Sequence, residues 1–251
     1  MKQATSKKRY LLPIVCAVAA LLAVSLLAGF CALYVSDYYR ADCTAIETMV
    51  KGDGVSVSLL ENDMIAYGNA DAAYGLIFYP GGKVEHTAYE PLLRALAARG
   101  VLCILIRMPL NLAVLNVNAA DGVQALFPAV SHWYIGGHSL GGSMATSYLS
   151  EHASDYEGLI LLASYSTADL SNTSLRALSA FGSEDGVLNR EKYAQYRPNL
   201  PADTAEMEIA GGNHAYFGAY GAQKGDGEAT LTVQQQITFS ADSIAAFMKG
   251  E

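Results

Sequence analysis

The chain has 251 residues, of which 52% are hydrophobic and 16% charged, and its formal net charge at pH 7 is −8. This length allows one α/β domain with a large core or two small domains, and the aromatic and branched residues found throughout exclude a disordered chain. The acidic balance makes nucleic acid a poor partner. The four cysteines form no CxxC pair or zinc-ligand cluster, so we expect neither a metal nor a cofactor.

An uncharged apolar segment, LLPIVCAVAALLAVSLLAGFCALYVS, occupies residues 11–36. As a helix it would be about 39 Å long, more than the roughly 30 Å hydrocarbon core of a bilayer. It has no polar face, and the apolar stretch of a secretory signal is usually shorter, about 7–15 residues. We therefore expect an uncleaved transmembrane anchor. Cleavage near residues 29–31 is the alternative, and LAGFC resembles a lipobox with Phe30 inserted before Cys31.

The flanking charges predict the orientation of this segment. Four basic residues precede it, namely Lys2, Lys7, Lys8 and Arg9. The positive-inside rule makes residues 1–10 a basic cytoplasmic tail and places the remainder outside the cell membrane. After residue 36, 12 basic residues stand against 24 acidic ones. On the outer face a disulfide between Cys43 and Cys103 is one alternative, and a buried, unpaired Cys103 is the other.

The chain after the anchor divides into a juxtamembrane connector, residues 37–54, with a helix near Thr44–Met49, and one domain over residues 55–251. The predicted strands of this domain are Val55–Glu61, Met64–Gly68, Tyr74–Gly82, Val101–Arg107, Trp133–Gly137, Gly158–Ser164, Leu175–Phe181 and Ala205–Gly212. The predicted helices are Ala88–Gly100, Asp121–Val130, Leu140–Ser150, Asn189–Tyr196 and Val233–Met248. Alternating strands and helices, with strands that are continuous apolar runs, predict an α/β sandwich around a mostly parallel central sheet with helices on both faces. The hairpin signal Asn62-Asp63 predicts an antiparallel edge.

A glycine-rich turn joins one of these strands to the next helix, in GGHSLGG over Gly136–Gly142. Small residues two before and two after Ser139 relieve crowding at a sharp strand-to-helix turn, which is the pattern of a nucleophile elbow. The helix N-terminus also places free N–H groups beside Ser139. A phosphate-binding loop is the alternative, but it requires GxGxxG or GxxxxGK[ST], and neither motif is present.

A reactive serine needs a base, and the chain has five histidines. His214 follows the last strand, in IAGGNHAYFG, and would lie at the sheet edge that carries the elbow. A simple turn histidine is the alternative for His214. The other four occupy positions typical of structural or surface residues: His86, His132, His138 and His152.

The base in turn needs an orienting acid, and Asp185 follows the penultimate strand in FGSEDGVLN. Glu184 is the competing carboxylate, and a surface Asp-Gly turn is the non-catalytic alternative. The order Ser139, Asp185, His214 is that of the α/β-hydrolase triad. We place the oxyanion hole at the backbone N–H groups of Leu140 and Gly82, with Lys83 as the alternative to Gly82.

Five motifs extend this pattern over most of residues 74–245: FYPGGKVEHTAYEPL, RMPLNLAVL, IGGHSLGG, FGSEDGV and GGNHAYFGAYGAQKGDG. In these motifs the chain resembles the α/β-hydrolase superfamily, and within it the fold-5 branch related to dienelactone hydrolases. The resemblance implies a hydrolase fold with Ser139, Asp185 and His214 as the triad. Pro80-Gly81 stands here in place of the family's usual His-Gly oxyanion motif.

The predicted site has no sizeable cap, because only about ten residues separate the strand ending near Ser164 from the strand starting near Leu175. An open site suits small-molecule esters or an exposed acyl group on a larger molecule. Lys83, Tyr216 and Phe217 are candidate rim contacts for such a substrate, and packing is the alternative role for the aromatic residues. The prediction is a membrane-anchored, extracytoplasmic serine hydrolase acting on carboxylic esters. An acyltransferase with the same triad and a catalytically idle binding module are the alternatives.

Overall fold

The computed structural model describes residues 5–251 and divides into two compact units, the first ending at Tyr38 and the second comprising Tyr39–Glu251. The first unit contains helix α1, Thr5–Ser36. Its stretch Pro13–Ser36 has a mean hydropathy of 2.7 and is long and apolar enough to cross a membrane. A signal sequence shares that property. Residues 1–4 of the predicted basic tail, including Lys2, lie outside the described residues.

The second unit is built on an eight-stranded sheet with the order β1-β2-β4-β3-β5-β6-β7-β8. The strands are β1 Val57–Leu59, β2 Ile65–Tyr67, β3 Tyr74–Tyr79, β4 Val101–Leu105, β5 His132–His138, β6 Gly158–Leu162, β7 Arg176–Gly182 and β8 Asp203–Ile209. Strands β3 to β8 are parallel, and β2 is antiparallel to both β1 and β4. Asn62 and Asp63 in the turn before β2 have φ of 56° and 55°, which short polar side chains tolerate best after glycine. The predicted antiparallel edge is therefore present.

Helices cover both faces of this sheet. They are α2 Cys43–Val50, α3 Glu90–Ala97, α4 Leu140–His152, α5 Arg190–Tyr196 and α6 Val233–Lys249. Two apolar cores result, because successive side chains of a strand point to opposite faces. Phe78 belongs to the core that includes Leu92 of α3 and Ile244 of α6. Ile77 belongs to the other core, with Leu149 of α4. Burial on both faces explains why the parallel strands are continuous apolar runs.

One predicted helix, Asp121–Val130, is wrong. This segment contains only a short 3-10 turn, Gln124–Leu126. Gly122 has a positive φ of 76°, and Pro128 cannot donate the backbone hydrogen bond that a helix interior requires. The apolar spacing of the segment instead serves packing, since Val123 and Val130 are buried in the second core.

Residues 39–54, predicted as part of a connector, belong to the second unit. The N–H of Tyr39 donates to the carbonyl of Lys83 at 2.8 Å, and that of Asp42 donates to Ala219 at 2.8 Å. Helix α2 lies where the sequence predicts it. Cys43 is exposed and free, and Cys103 is free and buried in β4, so the structure favours the unpaired alternative for Cys103.

Candidate active site

The turn between β5 and α4 holds Ser139 in an uncommon backbone conformation, with φ of 52° and ψ of −121°. Non-glycine residues rarely adopt positive φ, and such strain persists only where the surroundings hold it. A Cβ at Gly137 would overlap the carbonyl oxygen of Tyr79, and a Cβ at Gly141 would overlap the carbonyls of Tyr79 and Pro80. The two glycines flanking Ser139 therefore allow β3 and its loop to approach the turn.

Hydrogen bonds from β6 and the loop after it fix this turn. The N–H of Ser139 donates to the carbonyl of Leu162 at 2.9 Å. The hydroxyl of Ser164 donates to the carbonyl of Ser139 at 2.7 Å, and Ser143 Oγ lies 3.2 Å from Ser164 Oγ. Nothing in the run GLILLAS distinguishes Ser164 in the sequence. Only the pairing of β6 with β5 brings it beneath the turn.

Asp185 and His214 form a buried pair after β7 and β8. Nδ1 of His214 lies 2.9 Å from Oδ2 of Asp185, and both side chains are almost fully buried. Oδ1 of Asp185 accepts the N–H groups of Val187 at 2.9 Å and Leu188 at 2.7 Å. Burial alone would raise the pKa of Asp185, but the bond from His214 and these N–H donors outweigh it and lower that pKa. Glu184, the competing carboxylate, instead accepts the hydroxyl of Ser183.

His214 shares one cavity with Ser139. The cavity has a volume of about 220 Å³, and its lining also includes Leu140, Leu188 and Asn189. Nε2 of His214 is buried and has no hydrogen-bond partner among the residues that the structure describes. Because the Nδ1–H group is assigned as the donor to Asp185, Nε2 is the ring nitrogen left to accept a proton. The free nitrogen is the one that a general base would use.

The two predicted oxyanion donors, Leu140 and Gly82, differ in position: Leu140 lines the cavity of Ser139 and His214, and Gly82 is not among the described residues that line it. Leu140 is the first residue of α4, so its N–H has no acceptor within the helix. Gly82 lies against Leu140, since a Cβ there would come within 2.8 Å of Leu140 Cδ2. The Gly82 N–H makes no hydrogen bond within residues 5–251. The Lys83 N–H already donates to Asn111 at 2.8 Å, so the geometry favours Gly82 over Lys83.

Comparison with known proteins identifies the family. The model of the alpha/beta hydrolase family matches residues 75–238, which is more than half of the chain. The chain belongs to the α/β hydrolase family. No curated protein matches it. A solved structure described as a predicted CIB-like hydrolase from Thermoplasma acidophilum is 12% identical with a TM-score of 0.54, over 76% of this chain and 99% of that chain. At that identity the likeness shows the fold alone.

The predicted rim of the hydrolase needs correction at Phe217. Its side chain is fully buried, and its ring centroid lies 5.6 Å from that of His138, so it packs in the core and is not exposed to a substrate. Tyr216 is half-buried against the same core. Among the residues that the structure describes, neither Tyr216 nor Lys83 lines the 220 Å³ cavity. An aromatic residue in a glycine-rich loop can contact a substrate or pack in the core. The burial of Phe217 shows that it packs in the core.

His138 is buried behind the turn at Ser139, and its contacts make it a poorer candidate base than His214. Its Nδ1 lies 2.8 Å from the hydroxyl of Tyr89, and its ring centroid lies 4.5 Å from that of His214. Burial, followed by the neighbouring His214, lowers the pKa of His138 well below its ordinary value. His138 is therefore neutral, in a structural position as predicted. Within residues 5–251, no three His, Cys, Asp or Glu side chains converge as metal ligands would.

Proposed function

We propose that this α/β hydrolase is a serine hydrolase that cleaves carboxylic esters through an acyl-enzyme on Ser139. The observation that carries the proposal is the 2.9 Å bond between His214 and Asp185, which leaves Nε2 of His214 unpaired in a residue that shares a cavity with Ser139. A nucleophile, a base and an orienting acid arranged in this way activate a serine hydroxyl for acyl transfer.

The proposed reaction has two half-reactions. His214 Nε2 removes the proton of Ser139 as Oγ attacks the ester carbonyl, and the N–H groups of Leu140 and Gly82 stabilise the oxyanion. His214 then returns the proton to the leaving alcohol, which gives the acyl-enzyme. In the second half-reaction a water loses a proton to His214 and attacks the acyl group, and Ser139 recovers its proton when the acid leaves. Asp185 stays ionised and stabilises the transient imidazolium.

The shape of the site favours short acyl groups. Its volume of about 220 Å³ lies below the roughly 300–1,000 Å³ typical of pockets for drug-sized ligands. Residues 163–175, between β6 and β7, contain no helix, so no helical cap covers the entrance from that side. Small soluble esters, or an exposed short acyl group on a larger molecule, fit this site best.

The proposed location is the outer side of a cell membrane, with α1 as an uncleaved anchor. The apolar stretch Pro13–Ser36 and the basic residues that precede it support this placement. The mass of the mature protein tests it. An intact N-terminus and digestion of the domain by protease added to intact cells are expected, whereas a start near residue 30 would exclude the anchor.

The experiment that tests the activity is fluorophosphonate labelling of the full-length protein in detergent, together with hydrolysis of p-nitrophenyl esters from acetate to decanoate. Wild type should label and should prefer the shortest esters. Ser139→Ala should abolish labelling, and His214→Ala should reduce the rate by about 10²–10⁴-fold. Ser150→Ala, on the exposed part of the same helix, and His152→Ala are the matched controls and should retain activity.

Two results would count against this function. If folded wild-type protein neither labels nor hydrolyses any ester, the site is idle and the binding-module alternative is favoured. If Ser139→Ala still labels, another nucleophile is responsible.

A further inference from the structure

Asp226 lies in the segment GDG, Gly225–Gly227, at the end of the motif that follows His214, and the proposed chemistry gives it no role. Its carboxylate accepts four backbone N–H groups. Oδ1 accepts from Gly186 at 3.1 Å, from His214 at 3.2 Å and from Gly227 at 2.9 Å, and Oδ2 accepts from Ala215 at 2.8 Å.

These donors belong to different loops. Gly186 directly follows Asp185 in the loop after β7, whereas His214 and Ala215 lie in the loop after β8. The carboxylate of Asp226 therefore joins the loop of the proposed acid to the loop of the proposed base. Hydrogen bonds from N–H groups to a carboxylate are roughly twice as strong as those between neutral groups.

The backbone segments that meet at this carboxylate are packed so closely that each requires a glycine at the contact. A Cβ at Gly186 would lie 2.5 Å from the carbonyl oxygen of Gly225, and a Cβ at Gly227 would overlap the carbonyl of Glu184. Asn213 adds a further link, because its Nδ2 donates to the carbonyl of Gly227 at 3.0 Å. The segment Gly225–Gly227 is thus fitted against the loops of Asp185 and His214.

We propose that Asp226 is a positioning residue that holds the loop of Asp185 against the loop of His214. The expected loss of rate rests on the proposed function, whereas the expected position of the two loops does not. With Asp226 in place, the bond between Asp185 and His214 keeps its 2.9 Å length while His214 gains and loses a proton. Without that support the two loops separate slightly, and a misplacement of about 1 Å can cost about 100-fold in rate.

The test compares Asp226→Asn with Asp242→Asn in the full-length protein. Asparagine keeps the size of the side chain but loses the charge. Its NH₂ group would also face at least one backbone N–H that now donates to a carboxylate oxygen. Asp242 is a surface carboxylate paired with Arg99 and serves as the control. We expect Asp226→Asn to lower kcat by about 10- to 100-fold with little change in KM, whereas Asp242→Asn leaves both unchanged.

A second readout does not depend on turnover. The proton between His214 Nδ1 and Asp185 should give a low-field proton NMR resonance, identified by its absence in His214→Ala. That resonance should shift or broaden in Asp226→Asn and remain unchanged in Asp242→Asn. If wild type proves inactive, the proposed function fails while this resonance still tests the position of the two loops.

A purely structural role for Asp226 gives a different result. Asp226→Asn would then unfold at a lower temperature, yet well below that temperature it would keep the wild-type kcat and the wild-type resonance, which would overturn the inference. If Asp226→Asn does not fold, Asp226→Glu keeps the charge and displaces the carboxylate by one methylene. The same loss of kcat and the same change in the resonance are expected for that variant.

Discussion

The hydroxyl of Tyr89 lies 2.8 Å from Nδ1 of His138 and also accepts the N–H of Gly81 at 3.0 Å. The oxygen of this hydroxyl already accepts the Gly81 N–H, so we assign its O–H as the donor to Nδ1 of His138. His138 precedes the proposed nucleophile Ser139, and Gly81 precedes the proposed oxyanion donor Gly82. A single buried hydroxyl therefore connects the two loops that must be aligned around the reacting carbonyl.

Tyr89→Phe should reduce both activity and stability. It leaves the Gly81 N–H and His138 Nδ1 unpaired in a buried place, at a cost of about 1–3 kcal/mol for each group. We expect kcat to fall by about 10-fold or more with little change in KM, because oxyanion stabilisation is specific to the transition state.

Tyr134→Phe is the matched control for Tyr89→Phe. Its buried hydroxyl donates to the carbonyl of Met248 at 3.2 Å, away from the site, so only stability should fall. A Tyr89→Phe enzyme with wild-type kcat would contradict this role.

The glycine two positions after the proposed nucleophile gives a steric prediction. A Cβ at Gly141 would overlap the backbone carbonyls of Tyr79 and Pro80, which a rigid β3 cannot move. Gly141→Ala should therefore destabilise the fold by more than about 3 kcal/mol, measured by thermal or denaturant unfolding. Gly221→Ala is the control, because Gly221 has a φ of 78° but no atom within 4 Å of its Cβ position. Conformational strain alone should cost about 1–2 kcal/mol there, and similar losses in the two variants would exclude the steric explanation.

The sheet and the candidate triad were predictable because their signals are local. Strands buried on both faces are continuous apolar runs, and the conformation of Ser139 demands small neighbours that the sequence displays. Asp185 and His214 each follow a strand, and parallel strands bring their carboxyl ends to one edge of the sheet. The matched region, residues 75–238, covers Ser139, Asp185 and His214 together with the parallel strands from β3 onward.

The supporting residues were not predictable, because distant segments bring them together. Tyr89 reaches His138 across 49 positions of the chain, and Asp226 reaches Gly186 across 40. No spacing rule marks such pairs. Phe217 failed as a predicted rim residue for a related reason. Its loop is rich in glycine, which indicates a turn but does not say which aromatic side chains point into the core.

The buried histidine behind the elbow predicts how stability depends on pH. Folding lowers the pKa of His138, chiefly by burial and also through His214, so the unfolded chain binds a proton below about pH 6.5 that the folded chain does not. The free energy of unfolding is therefore not reduced by this residue well above pH 6.5. It decreases below that pH, by roughly 1 kcal/mol between pH 6.5 and pH 5.5. His86, whose pKa is lowered by burial and by Arg107, acts in the same direction.

Denaturant unfolding at a series of pH values measures this slope. His138→Gln should reduce it between pH 7.5 and pH 5.5, whereas an unchanged slope would show that His138 does not cause it. At lower pH a second loss should follow. The lowered pKa of Asp185 stabilises the fold above the unfolded value near 3.9 and ceases to do so as the pH falls through the folded value.

The hydroxyl of Ser164 is predicted to maintain the strained turn at Ser139. Its bond to the Ser139 carbonyl is 2.7 Å long, and a residue with φ of 52° and ψ of −121° costs about 1–3 kcal/mol to hold. Ser164→Ala removes the donor and should lower kcat by about 10-fold, because Oγ of Ser139 would then be held in a less uniform position.

Ser166→Ala is a close control. The buried hydroxyl of Ser166 also donates to a carbonyl at 2.7 Å, that of Ala168, but it does not touch the turn. Both variants should lose a similar 0.5–1.5 kcal/mol of stability, about the net worth of one hydrogen bond, and only Ser164→Ala should lose rate. Equal kcat in the two variants would mean that the bond from the Ser139 N–H to Leu162 holds the turn without help from Ser164.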